Sequence, residues 1–132
     1  MRGIHHLGVA VDDLDVAISS YRRLFRAEVE GRATQDDQGV EAASLHVGAS
    51  RVELLAALGP DTPVGRFLAR RGPGMHHVAF EVDDLPGELA RLEQEGMQLI
   101  DVAPRPGLFG LQVAFVHPDA AHGVLSELVS RG

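Results

Sequence analysis

The chain has 132 residues, of which 45% are hydrophobic, enough to bury the core of one domain of ordinary size or of two half-size modules. Its formal charge of -7, with no basic cluster to offset it, repels polyanions and argues against a nucleic-acid partner. All 12 cationic residues are arginine and cysteine is absent, which excludes Schiff-base chemistry, a lysine general base, disulfides, thiolate ligands and thiol nucleophiles.

In chain order, residues 5–11 (HHLGVAV) alternate as a strand, with Leu7, Val9 and Val11 on one face and His6, Gly8 and Ala10 on the other. A helix is expected over 13–27, capped by Asp13, because Leu14, Ala17, Ile18, Tyr21, Leu24 and Phe25 recur at three and four. Short strands follow near 28–32, 40–47 and 51–58, the last two joined by a tight Gly48-Ala49-Ser50 connection. A linker helix is expected over 61–72, with Asp61 or Thr62 as its cap and Gly72 as its stop. The strand at 76–82 again places Val78, Phe80 and Val82 on one face and His77, Ala79 and Glu81 on the other. A helix over 84–96, capped by Asp84 and carrying Leu85, Leu89 and Leu92, leads to strands at 98–101, 111–117 and 124–130. A Pro/Gly loop at 104–110 and a second loop at 118–123 separate those strands. No apolar stretch reaches the roughly 20 residues that span a bilayer, and the N-terminus enters a strand at once, so no membrane partner and a cytoplasmic location are expected.

The two halves repeat. Setting His6 over His77 matches His5, Val11, Asp12, Asp13 and Leu14 with His76, Val82, Asp83, Asp84 and Leu85. The reading is one domain of α+β class: two tandem βαβββ modules, 1–58 and 74–132, joined by the linker 59–73, forming one open, cupped mixed sheet around a metal site. His6 and His77 lie on small-residue faces, as on strands that line a cavity, and the last strand of each module supplies an acid, Glu53 and Glu127. A lone strand histidine is more often packed or solvated than metal-bound. Four donors at matching positions of an internal repeat favour a divalent ion instead, and N/O donors without thiolate suit Co, Mn, Ni, Zn or Fe. His5 and His76 alternate onto the other face and read as structural; His117 and His122 read by default as surface or loop residues.

The paired modules and the His6, Glu53, His77, Glu127 quartet resemble the vicinal oxygen chelate superfamily, which includes glyoxalase I, extradiol dioxygenases and antibiotic-sequestering proteins. Within it, the segments HHLGVAVDDLD, VELLAALGPDTPVGRFLARRGPGMHHVAFEVDDL, LIDVAPRPG and AFVHPDAAHGVLSELV are similar to those of the methylmalonyl-CoA epimerase family. The resemblance implies a metal-dependent epimerase that interconverts (2R)- and (2S)-methylmalonyl-CoA through a metal-stabilised enolate, with a divalent ion (Co, Mn, Ni or Zn) as cofactor and the coenzyme A thioester as substrate. It also implies a homodimer.

Some epimerases of this type carry a glutamate four residues beyond the glutamine of a Q-G-V stretch. Here Gln38-Gly39-Val40 leads to Glu41 and Ala42, so the acid comes one residue early and faces the helix unless a bulge intervenes. Glu127, a ligand able to take a proton, is the first candidate base, with His46 and Glu41 as the others. Arg105, Gly107 and Gly110 of the Pro/Gly loop are placed to meet the coenzyme A moiety, although Leu108 and Phe109 replace the family's glycine-rich continuation. A mere turn is the alternative for that loop, and a solvated face is the simpler reading of Arg66, Arg70 and Arg71. Two other functions stay open: a glyoxalase I-type lyase, which shares the quartet, and a metal-free small-molecule binding protein of the same superfamily.

Overall fold

The computed structural model describes residues 1–131 as two compact units, one spanning 6–76 and the other joining 1–5 to 77–131. Strand β1 (Gly3–Ala10) runs from the second unit into the first, and the first unit continues with α1 (Leu14–Phe25), β2 (Glu28–Gln35), β3 (Val40–Val47), β4 (Ser50–Ala57) and α2 (Pro63–Arg71). Strand β5 (Gly74–Glu81) begins at the end of the first unit and enters the second, which then holds α3 (Leu85–Gln94), β6 (Arg105–Pro106), β7 (Gln112–Val116) and β8 (Ser126–Ser130). The α+β class and both βαβββ modules are thus present. No helix among the described residues is long and apolar enough to cross a membrane.

In the first unit the strand order is β2-β3-β4-β1, with β1 parallel to β4 and the β2-β3-β4 meander antiparallel. Helix α1 starts where expected because the Asp13 carboxylate accepts the Val16 N–H at 3.1 Å, a cap worth about 1 kcal/mol. It lays Leu14 and Ile18 on the Val11, Ala43, Leu45, Leu54 and Ala56 side of the sheet. Leu45 and Leu54 are fully buried there, and each stabilises the fold by roughly 1.5–3 kcal/mol. The apolar stripe of α1 fades at its end, where Leu24 and Phe25 are exposed. Thr62, not Asp61, caps α2: its Oγ1 accepts the Gly65 N–H at 3.0 Å and donates to the Gly59 carbonyl at 2.8 Å. Gly39, at φ 64°, lies against that threonine, and a Cβ there would come within 2.2 Å of Thr62 Cγ2.

The second unit repeats the topology as β5-β8-β7-β6, with β5 parallel to β8 and the remaining pairs antiparallel. Asp84 caps α3 by accepting the Gly87 N–H at 3.1 Å, and Leu85 and Leu89 pack on Val82, Ala114 and Leu128. One expected strand is displaced. Residues 98–101 touch β7 through an isolated bridge, Leu99 to Val116, and the ladder partner of β7 on the side away from β8 is Arg105–Pro106, inside the segment read as a loop. The cause is Asp101, whose carboxylate takes the Phe115 N–H at 2.9 Å that a continuous ladder would have given to a backbone carbonyl.

Candidate active site

Each unit builds one buried histidine–glutamate pair, and the two are constructed alike. In the first unit, Glu53 on β4 sits opposite Gly8 of β1, two residues beyond His6 on the same face. His6 is 2% exposed and Glu53 7%, and His6 Nε2 lies 3.3 Å from Glu53 Oε2. In the second unit, Glu127 on β8 sits opposite Ala79 of β5, two residues beyond His77. Both residues are buried, and His77 Nε2 lies 3.7 Å from Glu127 Oε1. Glycine in one copy and alanine in the other stand across from the acid, so a long carboxylate can lean toward the histidine two positions away. In each unit the histidine and the glutamate lie on the sheet face opposite the one that α1 or α3 covers.

Ala42 pairs with Leu55 and Ser44 with Glu53, which puts Ala42, Ser44 and His46 on the Glu53 face of the first unit. The β3–β4 ladder is continuous from Val40 to Val47, so nothing turns Glu41 toward Glu53. Glu41 lies on the α1 side, 3.3 Å from Arg32 Nη2, while Arg32 Nη1 lies 2.6 Å from Asp15 of α1.

Sequence reading missed Glu30. The β2–β3 pairing shifts between Val29 and Gly31, so Glu30 is the extra residue of a bulge. Its carboxylate accepts the Ser44 hydroxyl at 2.6 Å, lies 2.5 Å from the half-exposed His46 Nε2, and pairs with Arg51 Nε at 2.5 Å. Burial alone would raise the Glu30 pKa, but the hydrogen bonds from Ser44 and Arg51 and the nearby charges outweigh it and hold the carboxyl below its usual range. A lowered folded-state pKa gives stability that is present above the unfolded glutamate's value and lost as pH falls through the folded one. Glu30→Gln is therefore expected to lower the thermal midpoint at pH 7, by less than about 1 kcal/mol of stability for so accessible a pair, and to leave it unchanged near pH 3, which melting at the two pH values measures.

In the second unit Arg105 pairs across from Val113, and Phe115 pairs across from Glu127, which sets Arg105, Phe115 and Glu127 on one face. The Phe115 ring meets His77 edge-on with centroids 6.0 Å apart, and Arg105 Cζ lies 5.4 Å from the Phe115 centroid. Asp101 Oδ2 lies 3.3 Å from Arg105 Nε. Gly107 is required by packing, since a Cβ there would approach Val113 Cγ1 to 2.6 Å, and Gly110 turns the chain at φ 75°. Between them Phe109 holds a left-handed φ of 59°.

Among the other histidines, His76 packs edge-on against Phe67 at 4.9 Å, and burial holds its imidazole below the usual range. His117 Nδ1 accepts the Asp119 N–H at 3.1 Å and caps a turn, while His122 ends that turn in a left-handed conformation.

Residues 5–115 match the family model described as Glyoxalase/Bleomycin resistance protein/Dioxygenase superfamily. The ethylmalonyl-CoA/methylmalonyl-CoA epimerase of Cereibacter sphaeroides is 33% identical over 127 residues, covering 95% of each chain. The chain belongs to the methylmalonyl-CoA epimerase family of that superfamily. The crystal structure of methylmalonyl-CoA epimerase from Mycobacterium tuberculosis has a TM-score of 0.94 at 37% identity, over 98% of this chain and 88% of that one. A Streptomyces coelicolor methylmalonyl-CoA epimerase in complex with 2-nitronate-propionyl-CoA also scores 0.94, at 36% identity over 98% and 94%. In this chain Ala42 lies on the Glu53 face, Glu41 turns to α1, and Glu30 bulges beside His46.

Proposed function

We propose that the protein is a metal-dependent methylmalonyl-CoA epimerase in which His6, Glu53, His77 and Glu127 together hold one divalent ion. The observation that carries the reading is the duplicated construction: two buried His–Glu pairs, raised on equivalent strands and on the sheet faces opposite α1 and α3, each with one imidazole and one carboxylate as donors. This N/O donor set without thiolate fits Co, Mn, Ni or Zn, and four protein ligands leave two octahedral positions for a chelating substrate. The epimerase relatives support the substrate assignment.

Epimerisation removes the proton on C2 of the malonyl thioester and returns one to the opposite face. A bound ion would supply Lewis-acid stabilisation of the negative charge that develops on the thioester oxygen. Glu127 takes the C2 proton on its carboxylate, since it is the buried acid next to His77. Return to the other face needs a second group, and the His46 imidazole, oriented by Glu30, fills that role. Leu55 and Ala42 in one unit and Ala79, Val113 and Val129 in the other are buried apolar residues on the same faces as the pairs, where they exclude water from the developing charge. Arg105 meets an anionic group of the substrate, with Gly107 and Gly110 shaping its loop. The reading includes a homodimer acting in the cytoplasm.

Deuterium uptake at C2 of methylmalonyl-CoA in heavy water tests this. Uptake is expected to stop when the protein is stripped by a chelator and to return with Co or Mn. Uptake that chelation leaves intact overturns the metal, and thioester binding without any uptake makes the chain a binding protein instead.

A further inference from the structure

We propose that Arg105 binds the carboxylate at the acyl end of the substrate, and that Asp101 is the positioning residue that sets its guanidinium; this rests on the epimerase reading above. Three contacts fix the arginine. Its Nε lies 3.3 Å from Asp101 Oδ2, its guanidinium carbon stands 5.4 Å from the Phe115 centroid, and its strand pairs with Val113. Asp101 is itself clamped to Phe115, because its N–H donates to the Phe115 carbonyl at 3.1 Å while its carboxylate accepts the Phe115 N–H at 2.9 Å. With Nε engaged and the side chain one-third exposed, the two terminal nitrogens remain as a planar fork, the geometry that takes a carboxylate or phosphate in two parallel hydrogen bonds.

Position chooses between those anions. Arg105 shares a face with Glu127 and is one aromatic ring away from His77, since Phe115 touches both. The reacting malonyl group must lie next to His77 and Glu127, and its free carboxylate with it. The phosphates of coenzyme A sit at the far end of the pantetheine arm. A lysine would lose the fork, and without Asp101 the arginine would keep its charge but not its direction.

Two thioesters separate the sources: methylmalonyl-N-acetylcysteamine, which has the carboxylate and no phosphate, and propionyl-CoA, which has the phosphates and no carboxylate. R105K and D101N, the latter keeping an acceptor for the Phe115 N–H, are expected to raise KM for the first roughly 10- to 100-fold with a smaller change in kcat. Inhibition by propionyl-CoA and the thermal midpoint should stay at parental values. Weakened propionyl-CoA inhibition with unchanged KM for the truncated thioester would make Arg105 a phosphate reader and overturn the proposal, as would parental kinetics in both variants or a loss matched by a fall in thermal midpoint. A parent protein inactive on methylmalonyl-CoA overturns the epimerase reading itself, which keeps the two failures apart.

Discussion

Glu127→Gln is expected to slow deuterium exchange at C2 of methylmalonyl-CoA by about 10²- to 10⁴-fold, the range over which a positioned general base acts. Glutamine keeps the length of the side chain and one oxygen able to coordinate, but its amide cannot accept the C2 proton. The strand should tolerate it, because glutamine matches glutamate in size and the backbone pairing of Glu127 with Ala79 and Phe115 does not involve its side chain. Bound metal per chain, measured on the same sample, separates the two duties of this residue. Retained metal with lost exchange assigns proton transfer to Glu127. Exchange near the parental rate, with metal retained, removes it from that role and leaves His46, whose replacement by asparagine should then carry the loss. Glu41→Gln is the control, because Glu41 lies on the α1 face with Arg32 and should leave exchange intact.

Why some of this architecture could be read from the chain and some could not comes down to the range of the interactions involved. The period-two alternation of residues 5–11 and 76–82 is a local property, so it located His6 and His77 away from the helices before any tertiary contact was known. The caps at Asp13 and Asp84 are equally local. Glu30 escaped because a bulge breaks the alternation of β2: Glu30 and Gly31 both oppose Ser44, after which Arg32 turns to the α1 side and meets Asp15 and Glu41. Gly31 in the middle of the strand was the available signal, since an isolated strand glycine often marks such a break. The displacement of the strand expected at 98–101 has a longer reach. It depends on Asp101 finding the backbone of Phe115, fourteen positions away, a contact that no window of sequence reveals.

His6→Ala and His77→Ala are each expected to weaken the binding of Co or Mn by at least about 100-fold, the upper end of what loss of even an outer supporting group costs, and to abolish C2 exchange. The equality of the two effects is the informative part. His6 and Glu53 form a pair within 6–76, His77 and Glu127 form one within the other unit, and each pair is buried and closely spaced. Two imidazoles that serve one ion must fail together: removing either leaves three ligands, and titration of the parent should saturate at one ion per chain. Two independent sites would behave otherwise, with two ions in the parent, one in each variant, and exchange lost in one variant only. A third outcome, unchanged metal content with a lowered melting temperature in both variants, would return the histidines to ordinary packing roles. The proposed ligation has a physical motive. A carboxylate buried beside an imidazole is costly to keep out of water unless a cation offsets its charge. The arrangement occurs once in each unit, so under the proposed ligation both histidine variants should lose the ion.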